Sequence, residues 1–250
     1  MTGTVRRIAA YGSYGRVVSE GFSLQLGAGF DDKVSNDAPD LDFRMLSLDP
    51  MVRIDISGGS VGLGPGLQKI DIAGRSFRER YSAHIDWTSV ANGAGYQSYV
   101  VEYGVNQHSA EFRDLDGASI TALMRQQFIS PFSGIDEISF EGGGGRESNF
   151  RGNPGLSNVY VYTRLATVWQ MFACKWSASW MHQQSKYDAA MMEGGAARRE
   201  AFDYLDLAVA FSLTESSELR IEFSRSRNRS NSAMFENRFR GSSISMVMNF

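Results

Sequence analysis

Apolar and polar residues alternate at every second position through most of this chain, and that period constrains the fold more than any other feature. Phe77, Tyr81, Ala83, Ile85 and Trp87 fall on one side of an extended segment, with Arg78, Arg80, Ser82, His84 and Asp86 on the other. Successive side chains of a strand point to opposite faces, so this segment has an aromatic face and a charged, watered one. The pattern recurs in Phe22, Leu24 and Leu26 against Ser23, Gln25 and Gly27, and in Tyr99, Val101 and Tyr103 against Ser98, Glu102 and Gly104. It returns in Trp176, Ala178 and Trp180 against Lys175, Ser177 and Ser179, and in Leu219, Ile221 and Phe223 against Arg220, Glu222 and Ser224. Plentiful glycine (26) and aromatic residues (12%) suit strands and turns. No run approaches the roughly 18 apolar residues of a membrane helix, but a membrane-spanning strand needs only about 9–11 residues, half of them apolar. The mean hydropathy of -0.27 therefore decides nothing.

The connections alternate in length. Short turns are expected at residues 57–60, 90–95, 130–134, 172–173 and 214–218, and longer polar loops at 31–40, 107–117, 142–157, 186–200 and 225–237. The connection at 73–76 breaks the rule, being short on the long side. Short turns at one end and long loops at the other are the pattern of outer-membrane barrels. The reading is an all-β chain, a transmembrane antiparallel up-and-down β-barrel of twelve to fourteen strands. Residues 22–250 are expected to form the barrel, and residues 1–21 an N-terminal segment or an extra strand; in the second case an even barrel needs one more strand upstream, making fourteen, and in the first twelve suffice. The start carries no cationic-then-apolar export signal, so an exported protein would begin before Met1. A bulge near Asp49-Pro50 is expected to flip the strand parity between Phe43, Met45 and Val52, Ile54, Ile56. Gly62, Gly64 and Gly66 empty one face of their strand, where the wall bends or something comes close. They lack the strand-loop-helix context of a phosphate loop.

At the end of the chain Ile244, Met246, Met248 and Phe250 share one face, and nothing follows the terminal aromatic residue. This resembles the signal by which outer-membrane barrels are recognised for insertion, and in such a barrel the last strand pairs with the first. The lumen-facing candidates are Arg78, Arg80, His84, Asp86, Glu102, Arg125, Glu137, Glu141, Arg164, Lys175, Arg220 and Glu222. Such mixed charges solvate and cross-link a lumen, guide a passenger or select solutes. A net charge of -3 gives no reason to expect a nucleic-acid partner. The lone Cys174 and scattered His84, His108 and His182 offer no metal spacing, and neither metal nor cofactor is expected. No serine motif selects any of the histidines, so no catalytic residue is expected.

Two stretches resemble a known family. Gly29-Phe-Asp-Asp-Lys-Val-Ser-Asn-Asp-Ala-Pro39 is similar to the loop after an early barrel strand in surface lipoprotein assembly modifiers, with Lys33 where that family often has Asn. Arg199-Glu-Ala-Phe-Asp203, Glu218 to Asn231 and the final Phe250 resemble the end of the same C-terminal barrel, which tetratricopeptide helices usually precede. The resemblance implies a Gram-negative outer-membrane location, with outer-membrane lipids, the barrel assembly machinery and surface lipoproteins as partners. It implies a function in translocation or display of surface lipoproteins, without covalent chemistry. The alternative is an outer-membrane pore for passive solutes or exopolysaccharide.

Overall fold

Hydrogen bonding joins thirteen strands to their sequence neighbours in a computed structural model that describes residues 5–35, 40, 42–91, 95–129, 135–189, 196–214 and 217–248. They are β1 (Val5–Ser19), β2 (Phe22–Ser35), β3 (Phe43–Ile56), β4 (Gly59–Ile72), β5 (Arg75–Ala91), β6 (Gly95–His108) and β7 (Gly117–Ile129). The rest are β8 (Ile135–Asn149), β9 (Asn158–Met171), β10 (Cys174–Tyr187), β11 (Arg199–Thr214), β12 (Ser217–Ser230) and β13 (Asn237–Met248). The fold is all-β, one antiparallel up-and-down sheet whose count lies within the expected range. The segment before Phe22 supplies the extra strand, in register with β2 from Val5 opposite Ser35 to Val17 opposite Ser23, with a one-residue shift before Ser19 opposite Phe22. The expected ladder between first and last strands does not occur among the described residues: β1 and β13 end the strand order. An odd number of alternating strands makes these two run the same way, so direct closure would need a parallel pair rather than another antiparallel rung.

Contacts divide the chain into two compact units. The first holds Met1–Thr88, Val100–Ala122 and Arg146–Ser157. Within it β3 runs without a register shift against β2 and against β4, so the expected bulge is absent. The apolar parity is continuous through the exposed Leu46, Leu48, Val52, Ile54 and Ile56, while Phe43 and Met45 lie on the other face. The β3–β4 ladder is only interrupted, between Leu48 opposite Leu67 and Val52 opposite Leu63. Pro50 sits in that gap; without an N–H it cannot donate to a ladder. Tyr11 lies over Gly29, where an added Cβ would stand 2.9 Å from the ring, so an aromatic covers the bare glycine.

The exceptional short connection joins β4 to β5 through Ala73 (φ 51°) and Gly74 (φ 73°). Two consecutive positive φ values are what a tight hairpin with right-handed strand twist demands. Alanine is strained there, since the left-handed region costs an L-residue about 1–2 kcal/mol. Ala73→Asn keeps the N–H that donates to Asp42 (2.9 Å) and tolerates the conformation. It is expected to raise stability by about 1 kcal/mol, read as a higher urea midpoint.

The second unit holds Ser89–Tyr99, Leu123–Gly145 and Asn158–Phe250. Two sequence expectations fail here or at its border. Gly142 to Gly145 belong to β8, not to a loop; a Cβ on Gly144 would stand 2.6 Å from the Tyr160 carbonyl, so glycine serves close backbone approach. Residues 225–230 also belong to a strand, since β12 runs on to Ser230 and pairs with β11 and β13. The ladder spans these arginines because exposed and half-buried residues keep alternating: Phe223, Arg225, Arg227 and Arg229 against Ser224, Ser226 and Asn228. The expected turn at 130–134 lies outside the described residues.

Little of the sheet is a buried core. Among the described residues only Ile70, Ala208, Val209 and Ala210 are buried apolar side chains. Leu63 (59% exposed), Val161 (58%) and Ile244 (73%) instead stand open on the apolar face of their strands. Near the β9–β10 turn Trp169 and Trp176 stack at 6.2 Å on this same face.

Candidate functional site

The polar face carries the candidate site, because strand parity sends the charged residues read from the alternating segments there. In the first unit it is built on β3 to β7. Gln68, Gly66, Gly64 and Gly62 of β4 stand directly opposite Arg80, Ser82, His84 and Asp86 of β5. The bare glycines leave room for those side chains: a Cβ on Gly62 would collide with the Asp86 carboxylate, and one on Gly66 would stand 2.5 Å from Ser82 Oγ. Arg53, across β4, reaches over Gly62 to donate to Asp86 (2.8 Å) and to Ser60 Oγ (2.9 Å). Arg80 is the hub. It pairs with Glu102, donates to Asn106 Oδ1 (3.3 Å) and Ser119 Oγ (3.1 Å), and lies over Gly104, whose missing side chain makes space for the guanidinium. Arg78 donates to Gln68 Oε1 (2.7 Å).

In the second unit Arg125 donates to Glu141 through Nε (2.9 Å) and Nη2 (2.5 Å). The Glu137 carbonyl accepts from the Thr167 hydroxyl at 3.1 Å. Arg164 stands opposite Met181, and Lys175 opposite Gln170 and Ala210. Arg220 lies 3.6 Å from Glu222, on the same β12 face. The twelve candidates read from sequence are thus all on polar-face parity, and among them the fold pairs Arg80 with Glu102, Arg125 with Glu141 and Arg220 with Glu222. Arg53 and Asp206 share that face and were missed as candidates. Both were legible, Asp206 as the polar partner of Leu205 and Leu207 and Arg53 as that of Val52 and Ile54.

His108 and His182 are engaged by carboxylates. His108 donates its backbone N–H to Asp116 (2.6 Å), keeps Nδ1 3.2 Å from the same oxygen, and meets Phe77 edge-on. His182 Nδ1 lies 2.8 Å from Asp203, with Trp180 stacked beside it. Cys174 Sγ points to the Phe172 carbonyl at 3.3 Å. In the terminal strand Ile244 and Met246 lie opposite Ile221 and Leu219 on the apolar face, and Met248 pairs with Ser217; Phe250 lies outside the described residues.

The fold and its two faces define a class, a large antiparallel meander with apolar residues exposed on one side and paired charges on the other. Such a sheet is compatible with an outer-membrane β-barrel. No family model and no curated protein matches the chain.

Proposed function

We propose that this chain is a bacterial outer-membrane β-barrel that assists translocation or display of surface lipoproteins. One observation supports the membrane reading above the others: the apolar residues are exposed on one strand parity, while the charges pair with one another on the opposite parity. In water such an apolar face would have to be covered, and lipid covers it. The lipoprotein assignment rests on the likeness of Gly29 to Pro39 and Arg199 to Asn231 to surface lipoprotein assembly modifiers. The free edges of β1 and β13 each offer backbone hydrogen-bonding groups to an extended passenger. No reacting group is assigned.

The protein is expected in the membrane fraction, migrating differently on a detergent gel before and after boiling. Deleting its gene is expected to remove its lipoprotein passengers from the cell surface while they still accumulate inside. A heat-indifferent, freely soluble protein sinks the membrane reading. The mutual neutralisation of Arg80 with Glu102 and Arg125 with Glu141 also suits a plain water-filled pore. Conductance across a planar bilayer, with normal lipoprotein display in the deletion strain, would favour that second reading.

A further inference from the structure

On β12 and β13 the apolar belt gives way abruptly to arginine. The rungs Leu219 opposite Met246, Ile221 opposite Ile244 and Phe223 opposite Ser242 lie on the apolar face. The next two rungs of that same face are Arg225 opposite Arg240 and Arg227 opposite Arg238, all four side chains exposed. Directly opposed residues bring their Cβ atoms to about 4.5–5.5 Å, and like charges so placed repel. Two such rungs in succession put four guanidinium groups together. On the β11 side Arg225 faces Leu205, Arg227 faces Asp203 and Arg229 faces Ala201. Asp203 cannot neutralise the four, because it already binds His182 (2.8 Å) and Arg229 (2.9 Å). Among the described residues no ion pair joins a carboxylate to Arg225, Arg227, Arg238 or Arg240.

Beside these rungs lies a concavity of about 590 Å³, with Val159, Val161 and Ala201 among its walls and Lys186, Arg199 and Arg229 at its cationic rim. It lies on the side of the longer connections, 188–198 and 231–236, which in an outer-membrane barrel face the cell exterior. We infer that this arginine face binds the phosphate-bearing headgroup of an acylated lipid of the outer leaflet. The inference rests on the membrane reading above. Guanidinium forks match phosphate oxygens two at a time, and the anion relieves the repulsion across both rungs. The acyl chains lie along Phe223, Ile221 and Ile244. That continuity of cationic rungs with an apolar belt favours a lipid over free phosphate, which would use only the arginines.

The test uses full-length protein purified in a neutral detergent, with diphosphorylated lipid A as the probe. Phosphatidylcholine and inorganic phosphate form the comparison arms, and retained lipid is counted by native mass spectrometry. Lipid A is expected to stay bound in preference to phosphatidylcholine, and inorganic phosphate is expected not to displace it. The R225Q/R227Q/R238Q/R240Q variant should bind lipid A about tenfold or more weakly while remaining heat-modifiable. Arg16→Gln, at an exposed arginine of β1, should leave binding unchanged. Equal retention by the quadruple variant, or no preference over phosphatidylcholine, overturns the inference alone. Displacement by inorganic phosphate makes the face a free-anion site and overturns the lipid assignment. A soluble, heat-indifferent protein overturns the membrane reading and this inference with it.

Discussion

Gly64→Val is expected to abolish the folded form of the protein. A Cβ at this position would collide with the Pro50 carbonyl oxygen and stand 3.1 Å from Met51 Cα. Both obstacles are backbone, so no side chain can swing aside. They belong to the stretch where β3 and β4 lose their ladder between Leu48 opposite Leu67 and Val52 opposite Leu63. There the β3 backbone fills the space that a β4 side chain would otherwise occupy. Overpacking of a fitted site costs about 1–3 kcal/mol even when neighbours can shift, and more where they cannot. Gly62→Ala should be milder, since its obstacles are the Asp86 carboxylate and the Met51 sulfur, which can move at the expense of the Arg53 hydrogen bond. Gly12→Ala meets nothing within 4 Å and should be silent. Refolding yield, read by recovery of the β-sheet circular dichroism, ranks the three; a Gly64→Val protein that refolds like wild type removes the close-approach account.

Replacing Arg80 by Met is the second large effect. The guanidinium serves Glu102, Asn106 and Ser119 together, across three strands. Its loss leaves the Glu102 charge without its counter-ion and Ser119, only 7% exposed, without that donor. Breaking a buried pair costs about 3–5 kcal/mol, but this pair keeps 21% and 35% of its side-chain surface in water, so the expected loss is about 1–3 kcal/mol. Adding Glu102→Gln to Arg80→Met should recover much of it, because the uncompensated charge goes. Arg125→Met should cost less, about 1 kcal/mol or below, since Arg125 is 49% exposed. Urea midpoints of the lipid-reconstituted variants decide. Equal losses for Arg80→Met and the double variant would show that the pair is not coupled.

Much of this was legible from period alone. Alternation in Phe77 to Trp87, Tyr99 to Tyr103 and Leu219 to Phe223 placed Arg80, Glu102 and Glu222 on the correct face, because a strand has only two faces. What misled was local chemistry used as punctuation. Gly142 to Gly145 and the polar run from Arg225 looked like loops, since glycine and charge usually mark them; both continue strands, because the neighbouring strand supplies hydrogen bonds that composition does not reveal. Pro50 suggested a bulge, yet the register passes it unchanged, because β2 pairs with β3 straight through it and β4 resumes the same register beyond it.

By itself the sequence determined the all-β class, the polar and apolar parities and most of the connections, since each of these is written in residues close together along the chain. Tertiary structure alone decided which charges meet. Arg80 finds Ser119 thirty-nine residues away, and Arg225 faces Arg240 across a rung, because those encounters depend on ladder register and on the space that glycine leaves, neither of which the period encodes.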